Sequence, residues 1–193
     1  MHTKIPVRVL GVAAGLAAIS ATTQLTHIGF QSPQFGMWID IVAVSWLMAF
    51  FMFGFRIAAV VSLMGALVIT LFAPETWLGA SMKWMATLPL WATLSAWSLL
   101  HGRDHGGYQR FSQIVSPLLL GLALRSALMI PLNYYYAIPI WTGMSPSEAI
   151  TAIPWYIIAL FNTVQGCIDV ILAWIVVYKF KVYRFGSSPQ TQQ

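Results

Sequence analysis

Residues 125–136, Arg-Ser-Ala-Leu-Met-Ile-Pro-Leu-Asn-Tyr-Tyr-Tyr, and 161–169, Phe-Asn-Thr-Val-Gln-Gly-Cys-Ile-Asp, decide how this sequence is read. They fall in two long apolar segments, at about 112–132 and 153–180. Arg125, Asn133, Asn162, Gln165 and Asp169 are nearly all of the charged and amide side chains deep in apolar sequence. Hydrocarbon cannot solvate such groups, so each must face another helix, a cavity or a ligand. Two asparagines flanked by tyrosines on adjacent helices can line a pocket for a planar polar ligand. Pro131 to Tyr136 reads as a polar-aromatic turn closing the first of the two segments.

The rest of the chain agrees with a membrane setting. Of 193 residues, 59% are hydrophobic and 8% charged, where a soluble domain carries about 25% charged residues. Mean hydropathy is +0.74. A crossing takes about 20 apolar residues, so the length accommodates five to six crossings and no separate soluble domain. The lone Cys167 allows no internal disulfide. A net charge of +5 scattered over short loops fits membrane topology and does not point to nucleic acid.

The expected fold is therefore all-α: six transmembrane helices in one bundle, at about 6–27, 38–54, 57–73, 84–100, 112–132 and 153–180. They form a single domain over 1–185, followed by a flexible tail at 186–193. Residues 28–37 read as a Gly/Pro-punctuated loop, and Gly54-Phe55-Arg56 as the tight turn of a helical hairpin. Ser145-Pro146-Ser147-Glu148 has the N-cap, first-turn Pro and third-position Glu of a short helix outside the bilayer. Lys4, Arg8, Arg56, Arg103, Arg110, Lys179, Lys181 and Arg184 fall on one side, and Lys83 on the other. The positive-inside rule then puts both termini in the cytoplasm of a multi-pass plasma-membrane protein.

Several constellations carry more than one reading. Ala13, Ala17 and Ala21 recur every four residues, as do Ala14 and Ala18, beside Gly11 and Gly15. Such a flat face lets another helix approach closely. It serves packing inside the bundle or docking on another membrane subunit. The basic start with Ala18-Ile19-Ser20 also loosely fits a signal peptide. Arg125 and Asp169 read as a structural ion pair between the fifth and sixth helices, with direct ligand contact as the alternative. Tyr134, Tyr135, Tyr136 and Tyr156 fit either a ligand site or an interfacial aromatic belt. Asp40 heads the second helix, where it suits the positive end of the dipole. His101 and His105 have metal-ligand spacing only if helical, and the glycines around them argue against that. No metal site, Walker motif or hydrolase elbow is expected.

The chain resembles the substrate-binding S components of energy-coupling factor (ECF) vitamin transporters. Three parts carry the resemblance: the alanine repeat of the first helix; the fifth helix running into Asn133-Tyr134-Tyr135-Tyr136 with Pro139; and Phe161-Asn162-x-x-Gln165-Gly166 with Tyr178-Lys179. The last two look most like the riboflavin-specific branch, whose pattern is Phe-Asn-x-x-Lys-Gly. The resemblance implies a non-enzymatic subunit that binds riboflavin or a related planar vitamin from outside, under a lid formed by 28–37. It implies docking through the alanine face on a transmembrane T component driven by two cytoplasmic ATPases. The vitamin is transported cargo, and no cofactor is expected. Asn133 and Asn162 match flavin-contacting positions, while Gln165 stands where that branch has lysine. A neutral amide still donates to a ring carbonyl but supplies no charge. The expected ligand set is Asn133, Tyr134, Tyr136, Asn162 and Gln165, joined by Lys83 in the loop before the fourth helix and by Trp84 and Thr87 at its start, at similar height. The rival from another class is a membrane enzyme, a lipid-modifying transferase using His101, Asp104 and His105. An S component for a different vitamin is the nearer alternative.

Overall fold

A computed structural model describes residues 6–73, 76–102 and 105–185. Helix α1 (Val7–Leu25) leads into a small antiparallel hairpin, β1 (Gly29–Gln31) and β2 (Trp38–Asp40), then α2 (Val42–Phe53), α3 (Phe55–Phe72) and α4 (Trp77–Leu100). After the 3-10 turn His105–Tyr108 come α5 (Ser112–Leu132), α6 (Ile138–Thr142), α7 (Pro146–Ala152) and α8 (Trp155–Trp174). Among the described residues, four stretches are long and apolar enough to cross a bilayer: Val7–Leu25, Phe55–Phe72, Ser112–Thr142 and Trp155–Lys179. Large apolar side chains on their outer faces, such as Val60, Leu67, Leu71, Leu119 and Leu160, are exposed in the isolated chain. Lipid is the solvent that suits such a surface.

Helix α2 is the centre of the bundle. It is short and apolar on every side, a pattern that belongs inside a structure. Trp46, Leu47, Ala49, Phe50 and Phe51 are at most 1% exposed, and α1, α3 and α8 pack around them. Its shortness has two causes. Residues 38–40, expected to begin the helix, pair with β1 instead, in the register Gly29↔Asp40 and Gln31↔Trp38. At the other end Gly54 takes φ 81°, which only glycine adopts freely, and turns the chain straight into α3. A hairpin thus replaces the expected loop at 28–37, and the fold is helical with one two-stranded ribbon.

Two other segments depart from the sequence reading. Helix α4 starts at Trp77, ahead of the expected 84, so Lys83 and Trp84 lie within a helix. The expected turn at 131–136 is helix as well. The chain runs through Pro131 without reversing, widens into a π-helical segment over Asn133–Ala137, and resumes as α6. Proline removes a backbone donor and crowds the preceding turn. A wider turn ahead of Pro139 absorbs that crowding without breaking the helix. The capping box at Ser145 is as read: Glu148 N donates to Ser145 Oγ, and Ser145 N donates to Glu148 at 2.7 Å. Donation from the Ser145 hydroxyl, and then from its backbone N–H, to the carboxylate holds the Glu148 carboxyl below its ordinary range.

Three glycines set how closely the helices approach. A Cβ on Gly166 would lie 2.6 Å from Leu122, and one on Gly121 would lie 2.6 Å from Thr93 Oγ1. These contacts bring α8 onto α5, and α5 onto α4. A Cβ on Gly65 would overlap Ser20 and lie 2.8 Å from Trp46 Nε1, at the junction of α1, α2 and α3. Gly65→Leu is therefore expected to lower stability by about 1–3 kcal/mol through overpacking. Gly15→Leu adds a side chain where nothing lies within 4 Å, and should leave the melting temperature in detergent unchanged or slightly raised. A thermal melt of the two variants decides the point.

Candidate ligand site

The polar groups buried in apolar sequence converge at one end of the bundle. Arg125 on α5 is 3% exposed and Asp169 on α8 is fully buried; their charged groups meet at 3.5 Å. Arg125 Nε also donates to Asn162 Oδ1 at 3.3 Å. Asp169 Oδ1 accepts from Gln165 Nε2 at 2.7 Å. Gln165 in turn exchanges two hydrogen bonds with the backbone of Asp40, at 2.9 and 2.8 Å. The Asp40 carboxylate caps α2 by accepting from Val42 N at 2.9 Å and pairs with Lys83 of α4. One chain of contacts, Lys83–Asp40–Gln165–Asp169–Arg125–Asn162, therefore ties α4, β2, α8 and α5 together. It holds two cations and two carboxylates, so its formal charge balances.

Above this chain lies a cavity of about 510 Å³. That size is in the range of small-molecule sites, roughly 300–1,000 Å³. Lys83, Arg125, Asn133, Asn162 and Gln165 are in its wall, whereas Asp40 and Asp169 stand behind them. The cationic ends of both ion pairs thus face the cavity. Arg125 Nη2 has no hydrogen-bond partner among the described residues, and neither has Asn133 Oδ1; Asn133 Nδ2 donates to Met129 O at 2.7 Å. Trp38, Trp77, Trp141, Phe35 and Phe161 supply aromatic surface. Such a site offers stacking area, a donor-rich floor and one amide acceptor. It suits a ring system with acceptors along one edge better than a cationic ligand.

The expected ligand set divides here. Asn133, Asn162, Gln165 and Lys83 line the cavity; Tyr134, Tyr136, Trp84 and Thr87 do not. Tyr134 is buried and donates to Ile153 O at 2.6 Å. Tyr136 packs edge-on against Trp77. Trp84 donates to Ser62 Oγ at 3.1 Å and so faces α3. Thr87 is fully buried and donates to the carbonyl of Lys83, one turn back. The earlier start of α4 explains the last two. Ala86, not Trp84 or Thr87, shares the cavity face with Lys83 and Met82. Trp38, Trp77 and Trp141 in the cavity wall, and Asp40 behind it, lie outside the set expected from the sequence. In sequence, Asp40 shows only a dipole role at the start of a helix; the signal for its pairing is Lys83, the one basic residue on the same side.

Helix α1 also sorts its small residues. Ala17 and Ala21 are buried against the bundle with Leu16 and Ser20, and Ala13 is half-buried. Ala14 and Ala18 are exposed, together with Gly11 and Gly15, around which a Cβ would meet nothing within 4 Å. The two alanine rows lie about 100° apart on the helix, so one faces in and the other out. Of the rival catalytic group, His101 stacks on Trp97 at the opposite end of α4 from Lys83. Asp104 and the His105 side chain lie outside the described residues.

No family model matches the sequence, and no curated protein matches it. A solved structure does: the S component of a bacterial ECF transporter, with a TM-score of 0.68 and 20% identity, over 93% of this chain and 98% of that one. At that identity the likeness establishes the fold. The chain is a multi-pass membrane protein with the fold of that S component.

Removing one partner of a buried ion pair strands the other charge, at about 3–5 kcal/mol. Arg125→Met is thus expected to give little folded protein on size-exclusion chromatography in detergent. The double variant Arg125→Met/Asp169→Leu should recover most of the yield. A single variant as stable as the natural protein would remove the pair from the framework.

Proposed function

We propose that this chain is the substrate-binding S component of an ECF-type vitamin uptake transporter, with riboflavin or a related planar vitamin as its ligand. The observation that carries this reading is the aromatic-walled cavity with Lys83, Arg125, Asn133 and Asn162 in its wall, within a fold like that of an S component. A flavin fits the chemistry: a flat ring system to stack on tryptophan, with a carbonyl-bearing edge toward the donors. Binding is the function, and no chemical step is assigned.

The chain is taken to pass through the plasma membrane six times, on α1–α5 and α8, with the short α2 enclosed by its neighbours and both termini cytoplasmic. Arg8, Arg56, Arg110, Lys179 and Arg184 cluster at the end of the bundle away from the cavity, which supports an outward-facing site. Cargo then enters from outside over the hairpin. Energy would come from two cytoplasmic ATPases acting through a T component. The docking face proposed for that component is the outward row Gly11, Ala14, Gly15 and Ala18, because Ala17 and Ala21 are occupied within the bundle.

The detergent-purified chain is expected to carry the absorbance bands of a flavin, or to bind added riboflavin in a fluorescence titration. A spectrum without flavin, together with binding of a different vitamin, would keep the transporter reading and discard riboflavin. Losing one buried hydrogen bond costs about 1–3 kcal/mol, roughly 5- to 150-fold in affinity, and Asn133→Ala should weaken binding within that range.

The docking face has its own test. Ala18→Trp should leave ligand binding intact and abolish co-purification of partner subunits. Ala17→Trp should instead disrupt the bundle. Intact assembly in the Ala18 variant would rule this face out.

A further inference from the structure

Gln165 occupies the position where the resemblance expects a ligand-reading lysine, yet its hydrogen bonds run into the protein. Both Nε2 hydrogens are used, one on Asp40 O at 2.8 Å and one on Asp169 Oδ1 at 2.7 Å. Oε1 accepts from Asp40 N at 2.9 Å. The side chain is 3% exposed. We infer that Gln165 is a positioning residue that locks the β1–β2 hairpin as one wall of the cavity, by pairing its carboxamide with the Asp40 peptide groups as a neighbouring strand would.

The physical basis is the edge of a two-stranded ribbon. Each strand has one partner, so its other edge presents N–H and C=O groups that need one. In an antiparallel pair, a residue can exchange both an N–H and a C=O bond with the residue opposite. A glutamine side chain carries the same donor and acceptor as a peptide and can take that place. Lysine cannot, since it has no acceptor. The hairpin supplies Gln31, Phe35, Gly36, Met37 and Trp38 to the cavity. Its tip is fixed separately: Gly36, at φ 63°, lies so close to Trp141 that a Cβ would overlap the indole ring. Its base depends on Asp40, whose peptide groups Gln165 holds and whose carboxylate Lys83 holds. Asn162 lies one turn before Gln165 on α8. One helix therefore carries both a cavity-lining amide and the clip for the opposite wall.

The clip is tested without any ligand, by amide hydrogen exchange on the full chain in detergent. Gln165→Met keeps the length of the side chain and removes its hydrogen bonds. Exchange over 38–40 should rise at least about tenfold, with α4 and α5 protected as in the natural protein. If that variant loses the whole fold, Gln165→Lys replaces it. Lysine retains donors for Asp40 O and Asp169, so the Asp40 amide itself should exchange fast while its surroundings stay protected. Unchanged exchange over 38–40 in the folded variant overturns the clip.

The consequence for binding rests on the transporter reading. Riboflavin should dissociate at least about tenfold faster from the folded variant, with association nearly unchanged. Equal dissociation rates, alongside faster exchange, would overturn the wall's role in holding the ligand. A natural protein that binds no riboflavin would discard the flavin reading and leave the exchange result to decide the clip.

Discussion

The structure depends on one constraint: Arg125 and Asp169 are buried within apolar segments, where lipid cannot solvate them. Each needs the other, and a lone pair of ions in low dielectric still leaves donors and lone pairs unfilled. The fold fills most of them by lengthening the pair into a chain and leaves Arg125 Nη2 on the cavity side. Asn162 and Gln165 supply amides on either side, and the peptide of Asp40 closes it toward the Lys83–Asp40 pair. Because these residues come from α4, β2, α5 and α8, satisfying the charges also fixes where the four elements sit.

The same arrangement produces the cavity. Gly121 and Gly166 bring α4, α5 and α8 together at the level of Arg125 and Leu122. Beyond that level the elements diverge: α5 widens through its π-helical segment into α6, and the chain between α1 and α2 forms a ribbon where a helix end was expected. The space left between them is floored by the cationic ends of the two ion pairs and walled by aromatic side chains. The cavity is thus polar at its base and apolar at its sides, the combination by which a site orients a flat ligand and holds it by area.

The membrane character, the pairing of Arg125 with Asp169, the Ser145 capping box and the approximate positions of most helices were legible in the sequence. Each follows from a local rule: apolar length, the intolerance of hydrocarbon for lone charge, or the spacing of a cap. Asn133, Asn162 and Lys83 were legible as cavity residues because few polar side chains lay near the ends of apolar segments. Tertiary structure decided the remainder. Whether Ala17 or Ala18 faces outward depends on which side of α1 meets α2 and α3, and both rows carry the same small residues. Whether 131–136 turns or continues depends on a wide helical turn that no residue pattern marks. Whether Gln165 reads a ligand or clips a strand depends on Asp40 arriving beside it from 125 residues away. A side chain's valence is written in the sequence; the partner that uses it is fixed only when distant segments pack.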